Sequence, residues 1–349
     1  REREGRMKAL VMHELGGPLR LEDVADPACP ADGVVIEVTA CGVCRSDHHS
    51  WSGGDPVTLP HIMGHEFAGV VAEVGPDCAM TTGQRVTAPF ILSCGECADC
   101  RAGRPTICDT QYCPGFHGPG AFAERLAIRA ADFNAVPLPD AIPFDVAAAM
   151  GCRVTTAWRA LVDRAALLPG EWVAVHGCGG VGLCALLIAR ALGARTIGID
   201  PSPEARALAK SLGAEVTLDA GQVGELLEIT GGGAHVALDA LGISATFDAS
   251  LRSLRKLGRH VQIGMPTGPH ATVPLPLLEL VYARQLSIHG MRGLGAASFP
   301  PLLKLIEEGR LDLGPLIVDH IALTDVEGIF HAMTAHATAG INVVTRFDR

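Results

Sequence analysis

The 349-residue chain predicts an α/β protein in two parts, a β-rich, loop-rich half followed by a doubly wound parallel-sheet half. Three observations carry that expectation. The chain is too long for one average domain. Up to about Val136 it is rich in Val, Gly, Pro and Cys, in short alternating runs broken by turn residues. From about Phe144 the pattern changes to long apolar helical stretches that alternate with strands.

In the first half, strands are predicted over 34–40, 69–74 and 84–88. The run AAAMGCRVTTAWRALVDRAAL then reads as helix, and EWVAVHGCGGVGLCALLIARALGARTIGID as strand, glycine turn, helix and strand. Further strands are predicted over 215–218, 235–238, 258–263 and 286–289. SFPPLLKLIEEGRL reads as a helix and INVVTRF as a last strand, a tail returning to the first half. The expected boundaries are 1–153, completed by 293–349, and 154–292. No repeat or low-complexity stretch is visible, which argues against a repeat architecture. The charged run REREGR, ahead of Met7, is left out as a vector remnant or a frayed tail.

Composition narrows the function. Hydrophobic residues at 48% against 19% charged are ample for a large core and argue against disorder. A net charge of −10 without a basic cluster disfavours nucleic acid and anionic membranes as partners. No run is long and apolar enough to span a bilayer, and no signal peptide is visible, so a soluble, cytoplasmic protein is expected. Twelve cysteines then read as metal ligands and buried thiols rather than disulfides.

Cys94, Cys97, Cys100 and Cys108, spaced C-x2-C-x2-C-x7-C, supply four thiolates from one loop, enough to close a tetrahedron around a structural zinc. Two redox CxxC pairs or an iron–sulfur cluster are the competing readings. On either side lie the members of a second set. Cys44, His65 and Cys152 make a Cys2His group, the kind that leaves one zinc position vacant for chemistry.

Gly177, Gly179 and Gly182 form a GxGxxG, through Gly180 and Val181, between a predicted strand and a predicted helix. That context makes it a dinucleotide-binding βαβ unit: Gly177 turns the chain, Gly179 admits the pyrophosphate, and Gly182 lets helix and strand pack closely. Asp200, closing the second strand, can accept ribose hydroxyls and repel a 2′-phosphate, favouring NAD over NADP. Its plainer reading is a cap for the helix beginning near Pro201. Arg206 is a candidate for a phosphate or a solvated helix charge.

CGVCRSD, GHE, the four-cysteine lobe, the later GC and GCGGVG occur in the order found in zinc-dependent medium-chain alcohol dehydrogenases, which the chain resembles over essentially everything after Met7. The resemblance implies a GroES-like catalytic domain joined to a Rossmann domain, two zinc ions per chain, and reversible hydride transfer between an alcohol and NAD. It makes Cys44, His65 and Cys152 the catalytic zinc ligands, with Glu66 behind the metal as a transient ligand and Cys41 a small buried residue. Asp47 then orients the ligating histidine, Ser46 stands beside the alcohol, and His49 ends a proton relay. Arg45 and Thr156 touch the cofactor. Trp51 and Phe90 line the pocket, with Met265 and Met291 farther out or simply in the core.

A tryptophan there implies slender alcohols, whereas the small Ser46 implies room for larger ones. Asn342 departs from the family pattern, standing where many relatives carry an arginine to the pyrophosphate. A tetramer is expected over a dimer, pairing through the strand near 286–289. Two alternatives stand beside this reading. A polyol or amino-alcohol dehydrogenase of the same superfamily tends to use an acidic third ligand, against which Cys152 argues. A non-catalytic, zinc-stabilised nucleotide-binding protein need not keep Cys44, Ser46 and His49 together.

Overall fold

The computed structural model describes residues 5–335, 337, 338 and 340–347. In chain order the strands of the β-rich half are β1 (Arg6–Met12), β2 (Leu19–Ala25), β3 (Val34–Val43), β4 (His61–Ile62), β5 (Glu66–Val74), β6 (Arg85–Thr87), β7 (Arg125–Ile128) and β8 (Val136–Pro137). Then follow β9 (Trp172–His176), β10 (Arg195–Ile199), β11 (Val216–Leu218), β12 (Ala234–Asp239), β13 (Leu254–Gln262), β14 (Ser287–Gly290), β15 (Ile317–Ala322) and β16 (Ile341–Arg346). The first four residues of the charged N-terminal run lie outside the described residues. Arg6, by contrast, is not part of a frayed tail: it opens β1 opposite Ala25, and its guanidinium donates to the Asp23 carbonyl.

The chain forms two compact units. The first comprises Arg1–Thr155, Gly293–Glu308 and Ile317–Arg349. Its larger sheet runs β15-β16-β3-β5-β6-β8, with β7 added on β3. β3 is long enough to pair with β7 near its start and β16 near its end, while β5 pairs along its length. Its apolar side chains and those of β1 and β5 bury Phe67, Phe122, Phe330, Leu10 and Met12 in one core.

The second unit comprises Thr156–Arg292 and Gly309–Leu316. Its six-stranded sheet has the order β11-β10-β9-β12-β13-β14, all parallel. Sheets of this kind are covered on both faces, so their strands read as continuous apolar runs, and every residue of β9 is buried. The return to the first unit is therefore interrupted, unlike the expectation for 293–349. Leu311, Leu313 and Leu316 are buried, and the short turn Gly314–Leu316 packs against the helix Gly180–Ala191.

The predicted helix around Cys152 exists but is not uniform. Phe144–Ala149 and Thr155–Arg159 are α-helical, while Met150–Val154 and Ala160–Arg164 widen into π turns. A π turn displaces side chains from regular helical spacing and is frequent at functional sites. Cys152 sits in the first of them.

Candidate metal centre and cofactor site

Three distant segments converge in the first unit. β3 ends at Val43 and hands the chain to the helix Arg45–Trp51, so Cys44 lies at the junction. His65 immediately precedes β5, and Cys152 comes from the π turn. Ligand atoms of Cys44, His65, Glu66 and Cys152 all lie within 4.8 Å of one another. Asp47 organises the group. Its Oδ1 accepts from His65 Nδ1 at 2.8 Å and from the Gly64 amide at 3.1 Å, while Oδ2 accepts the Cys44 amide at 2.9 Å. The remaining nitrogen, His65 Nε2, is buried without a hydrogen-bond partner.

A buried imidazole nitrogen left bare beside two sulfurs is the donor arrangement zinc takes, with a carboxylate fixing the ring from behind. The residues fit the ion. The Cys44 thiol is held well below its ordinary pKa, first by the hydrogen bond from Cys152 and against the effect of burial. Glu66 faces the other way as well: Oε1 accepts the Arg153 amide and Nε at 3.1 Å each, and Oε2 pairs with Nη2. Burial raises the Glu66 carboxyl above its ordinary range and Arg153 opposes that shift.

The four-cysteine lobe is equally well matched to a closed site. All four sulfurs lie within 4.8 Å of one another, with Cys108 and Cys94 at 3.6 Å and Cys94 and Cys100 at 3.9 Å. Main-chain N–H groups point at them: the Cys97 amide donates to Cys94 Sγ at 3.3 Å and the Cys100 amide to Cys97 Sγ at 3.5 Å. Amide donors of Cys97 and Glu96 bring the Cys94 thiol down to about 6, whereas burial pushes Cys100 up to about 12. None of these sulfurs is in a disulfide.

Ser46 stands next to this centre, its Oγ accepting from the Cys44 thiol at 3.9 Å. His49, three residues on in the same helix, lies on the same face and is half-buried. Arg45 is exposed and reaches the Met333 carbonyl at 3.4 Å. His48 is tied elsewhere, to the Thr334 hydroxyl at 2.8 Å and edge-on to Phe330. Phe90 packs with Ile91, Cys113, Phe116 and Cys152, and the rings of Phe90 and Phe116 lie 6.0 and 4.9 Å from that of His65.

Trp51 does not join them. It belongs to the core of the first unit, stacks near Phe330, and donates its indole N–H to the Gly17 carbonyl at 2.8 Å. The physical reason is distance along the helix: seven residues carry it about 10 Å beyond Cys44. Met265 is half exposed, which is not core packing, and Met291 is partly buried. Asn342 is buried on β16, in register with Val43.

In the second unit, Gly177 to Gly182 join β9 to the helix Gly180–Ala191 at the carboxyl edge of the sheet. The strand order reverses between β9 and β12, the switch point where such sheets bind ligands. Gly177 has φ +100, and a Cβ on Gly182 would meet the Gly177 carbonyl at 1.8 Å. Nothing lies within 4 Å of a Cβ on Gly179, which leaves a cradle over the helix start. That open amide-lined turn fits a pyrophosphate. Asp200 does not cap the next helix; Ser202 does, through the Ala205 amide. Its carboxylate accepts the Cys178 and Ser202 amides, both at 2.8 Å, which aims it back at the glycine turn. Arg206 is no free helix charge: it binds the Asp200 and Pro201 carbonyls and the Asp219 carboxylate. Thr156, at the start of this unit, is buried.

Comparison with known proteins gives two family models, an alcohol dehydrogenase GroES-like domain over residues 30–140 and a zinc-binding dehydrogenase over residues 180–308. An alcohol dehydrogenase of Geobacillus stearothermophilus is 32% identical over 98% of this chain and 100% of its own length. The chain belongs to the zinc-dependent medium-chain alcohol dehydrogenase family. Among solved structures, an alcohol dehydrogenase from Thermus sp. ATN1 superposes with TM-score 0.90 at 28% identity, covering 97% of this chain and 100% of that one. An L-threonine 3-dehydrogenase of Mesorhizobium japonicum is 30% identical over 96% of this chain and 98% of its own.

As a member of this alcohol dehydrogenase family the chain is an oxidoreductase, and no helix among the described residues is long and apolar enough to cross a membrane. Three of its site features escape sequence reading. Arg153 was visible only as a base following Cys152, just as Glu66 follows His65, a pairing of charges behind two ligands. Phe116 had no signal beyond an aromatic in a glycine-rich loop. Asp239 ends β12 and accepts the Leu241 and Gly242 amides, the Thr246 hydroxyl and the Gln262 amide, all at 2.8–2.9 Å. It pins the loops after β12 and β13 beside the glycine turn; the clue was a glycine soon after each strand.

Proposed function

We propose that the chain interconverts an apolar alcohol and its aldehyde or ketone with NAD. What supports this most is the convergence of Cys44, His65 and Cys152 beside Ser46 and the apolar Phe90–Phe116 cluster. Zinc on those three ligands would supply Lewis-acid polarisation of the substrate oxygen, and NAD on the second unit would take the hydride. Asp47 holds the His65 ring and its tautomer. The Ser46 hydroxyl accepts the alcohol proton, and His49 passes it to solvent. Phe90, Ile91 and Phe116 exclude water and select apolar substrates. Asp200 holds the adenosine ribose and disfavours a 2′-phosphate, while the amides after Gly179 hold the pyrophosphate. A second zinc on the four-cysteine lobe would be structural.

With Trp51 in the core, the small Ser46 is the remaining clue to substrate size, and it supports the larger alcohols. Similarity to L-threonine 3-dehydrogenase keeps an amino alcohol as the second reading; the apolar lining favours the first. A panel of apolar primary and secondary alcohols, polyols and L-threonine, assayed with NAD and with NADP, tests this. NADH formation should be fastest with apolar alcohols. Preference for L-threonine or a polyol would replace the substrate assignment. Zinc and nucleotide binding without turnover on any member would favour a non-catalytic binding protein.

A further inference from the structure

Glu66 stands in two relations at once. One of its oxygens is among the four ligand atoms that lie within 4.8 Å of one another. Yet both of its oxygens are held by Arg153, through the main-chain N–H, Nε and Nη2. The pair is sealed: the Arg153 and Glu66 side chains are 5% and 0% exposed. Gly42, opposite Glu66 in the β3–β5 register, walls it in, since a Cβ there would lie 2.5 Å from Oε2 and 3.3 Å from Nη2.

A buried carboxylate needs a cation, and Glu66 has two within reach once zinc is bound. Two thiolates and Glu66, with Asp47 as a further buried carboxylate behind His65, set at least three negative charges against the two positive charges of zinc, so the one of Arg153 is needed beside Glu66. The planar guanidinium, gripping both oxygens with help from its own amide, decides the competition in a way a point charge would not.

We propose that Arg153 is a positioning residue that keeps Glu66 out of the fourth zinc position and so holds that position open for substrate. This rests on the reading that Cys44, His65 and Cys152 hold zinc. Without Arg153, Glu66 closes the site.

The test exchanges cobalt into the Cys44–His65–Cys152 site, zinc being kept in the four-cysteine lobe, and titrates imidazole against the visible spectrum. In the parent chain imidazole should shift the spectrum. In Arg153→Met its affinity should fall by roughly tenfold or more, with a changed spectrum before any imidazole is added. Arg153→Lys should fall between the two. Arg153→Met/Glu66→Gln should recover the parent's affinity, because the competing carboxylate is gone. Undiminished imidazole affinity in Arg153→Met overturns the proposal. So does a loss of cobalt that the double variant fails to restore, which would make Arg153 merely structural. Failure of the parent chain to bind cobalt at these three residues would overturn the metal assignment and the proposal together.

Discussion

Asp47 shows how a single side chain sets the geometry of the first unit's centre. Its two oxygens take three donors, the amides of Cys44 and Gly64 and Nδ1 of His65, so two ligand segments and one ligand ring are fixed together. Asp47→Asn replaces one acceptor oxygen with a donor, and zinc affinity by chelator competition should drop by about 10- to 100-fold. Unchanged affinity would show that the ring is held by packing alone. Ser46→Ala should slow alcohol oxidation more than His49→Gln, and a diffusing buffer base should restore rate only to the latter, since only His49 stands at the outer end of the path. His48→Gln should leave the rate near that of the parent and lower the melting temperature instead, because His48 holds Thr334 and packs on Phe330. Equal behaviour of the two histidine variants in rate and rescue would remove the relay. At this scale, the grouping of Cys44, His65 and Cys152, and of the four lobe cysteines, was legible because the residue types are few and their motifs local. Trp51 was misread because position in a motif says nothing of where an indole finds its hydrogen-bond acceptor.

At the scale of elements, the parallel strands of the second unit were legible for a physical reason: burial on both faces leaves uninterrupted apolar runs such as WVAVH. β13 begins earlier than its apolar run, at the buried Leu254, because charged residues follow that anchor along the strand. The π turns around Cys152 were not legible, since one extra residue in a turn leaves the apolar character unchanged. His176 ends β9 inside this sheet, and burial lowers its pKa from 6.5 to about 4. The unfolded chain therefore takes up a proton as pH falls through about 6.5, while the folded one stays neutral until about 4. Stability should fall across that window, by a limiting amount on the order of 3 kcal/mol. His176→Gln should flatten the dependence, as urea titrations at about pH 7 and about pH 5 would reveal; an unchanged difference between the two conditions would show that other groups carry it.

At the scale of the molecule, the proposed cofactor preference and the proposed assembly both rest on features of the second unit. Asp200→Gly should erode a preference for NAD over NADP by removing both the ribose acceptor and the repulsion of phosphate. Comparable efficiency with both cofactors in the parent chain would count against that role. β14 closes one edge of the sheet, and Ile288, Leu277, Leu278 and Tyr282 are exposed at 40%, 59%, 74% and 76%. Ile288 is on that edge and the other three are on the helical segment Leu277–Tyr282 just before it, and exposed apolar surface of this kind is rarely left open to water. Light scattering should find an oligomer, a tetramer before a dimer, and Ile288→Lys should yield smaller species. The two-unit plan was legible from the change of texture along the chain, but the return of Gly309–Leu316 to the second unit was not, because three leucines reveal burial without naming the neighbour. On the proposed division of labour, one of two zinc sites is closed and structural while the other is open and does the chemistry. Zinc content per folded chain, read with alcohol-dependent NADH formation on the same samples, separates the two roles. The parent should hold two zinc ions. Cys152→Ser should keep its fold and one zinc while losing nearly all activity, and Cys97→Ser should lose zinc together with stability. A Cys152→Ser chain that retained activity, or a parent active with a single zinc on the four-cysteine lobe, would show that the open site is not the catalytic one.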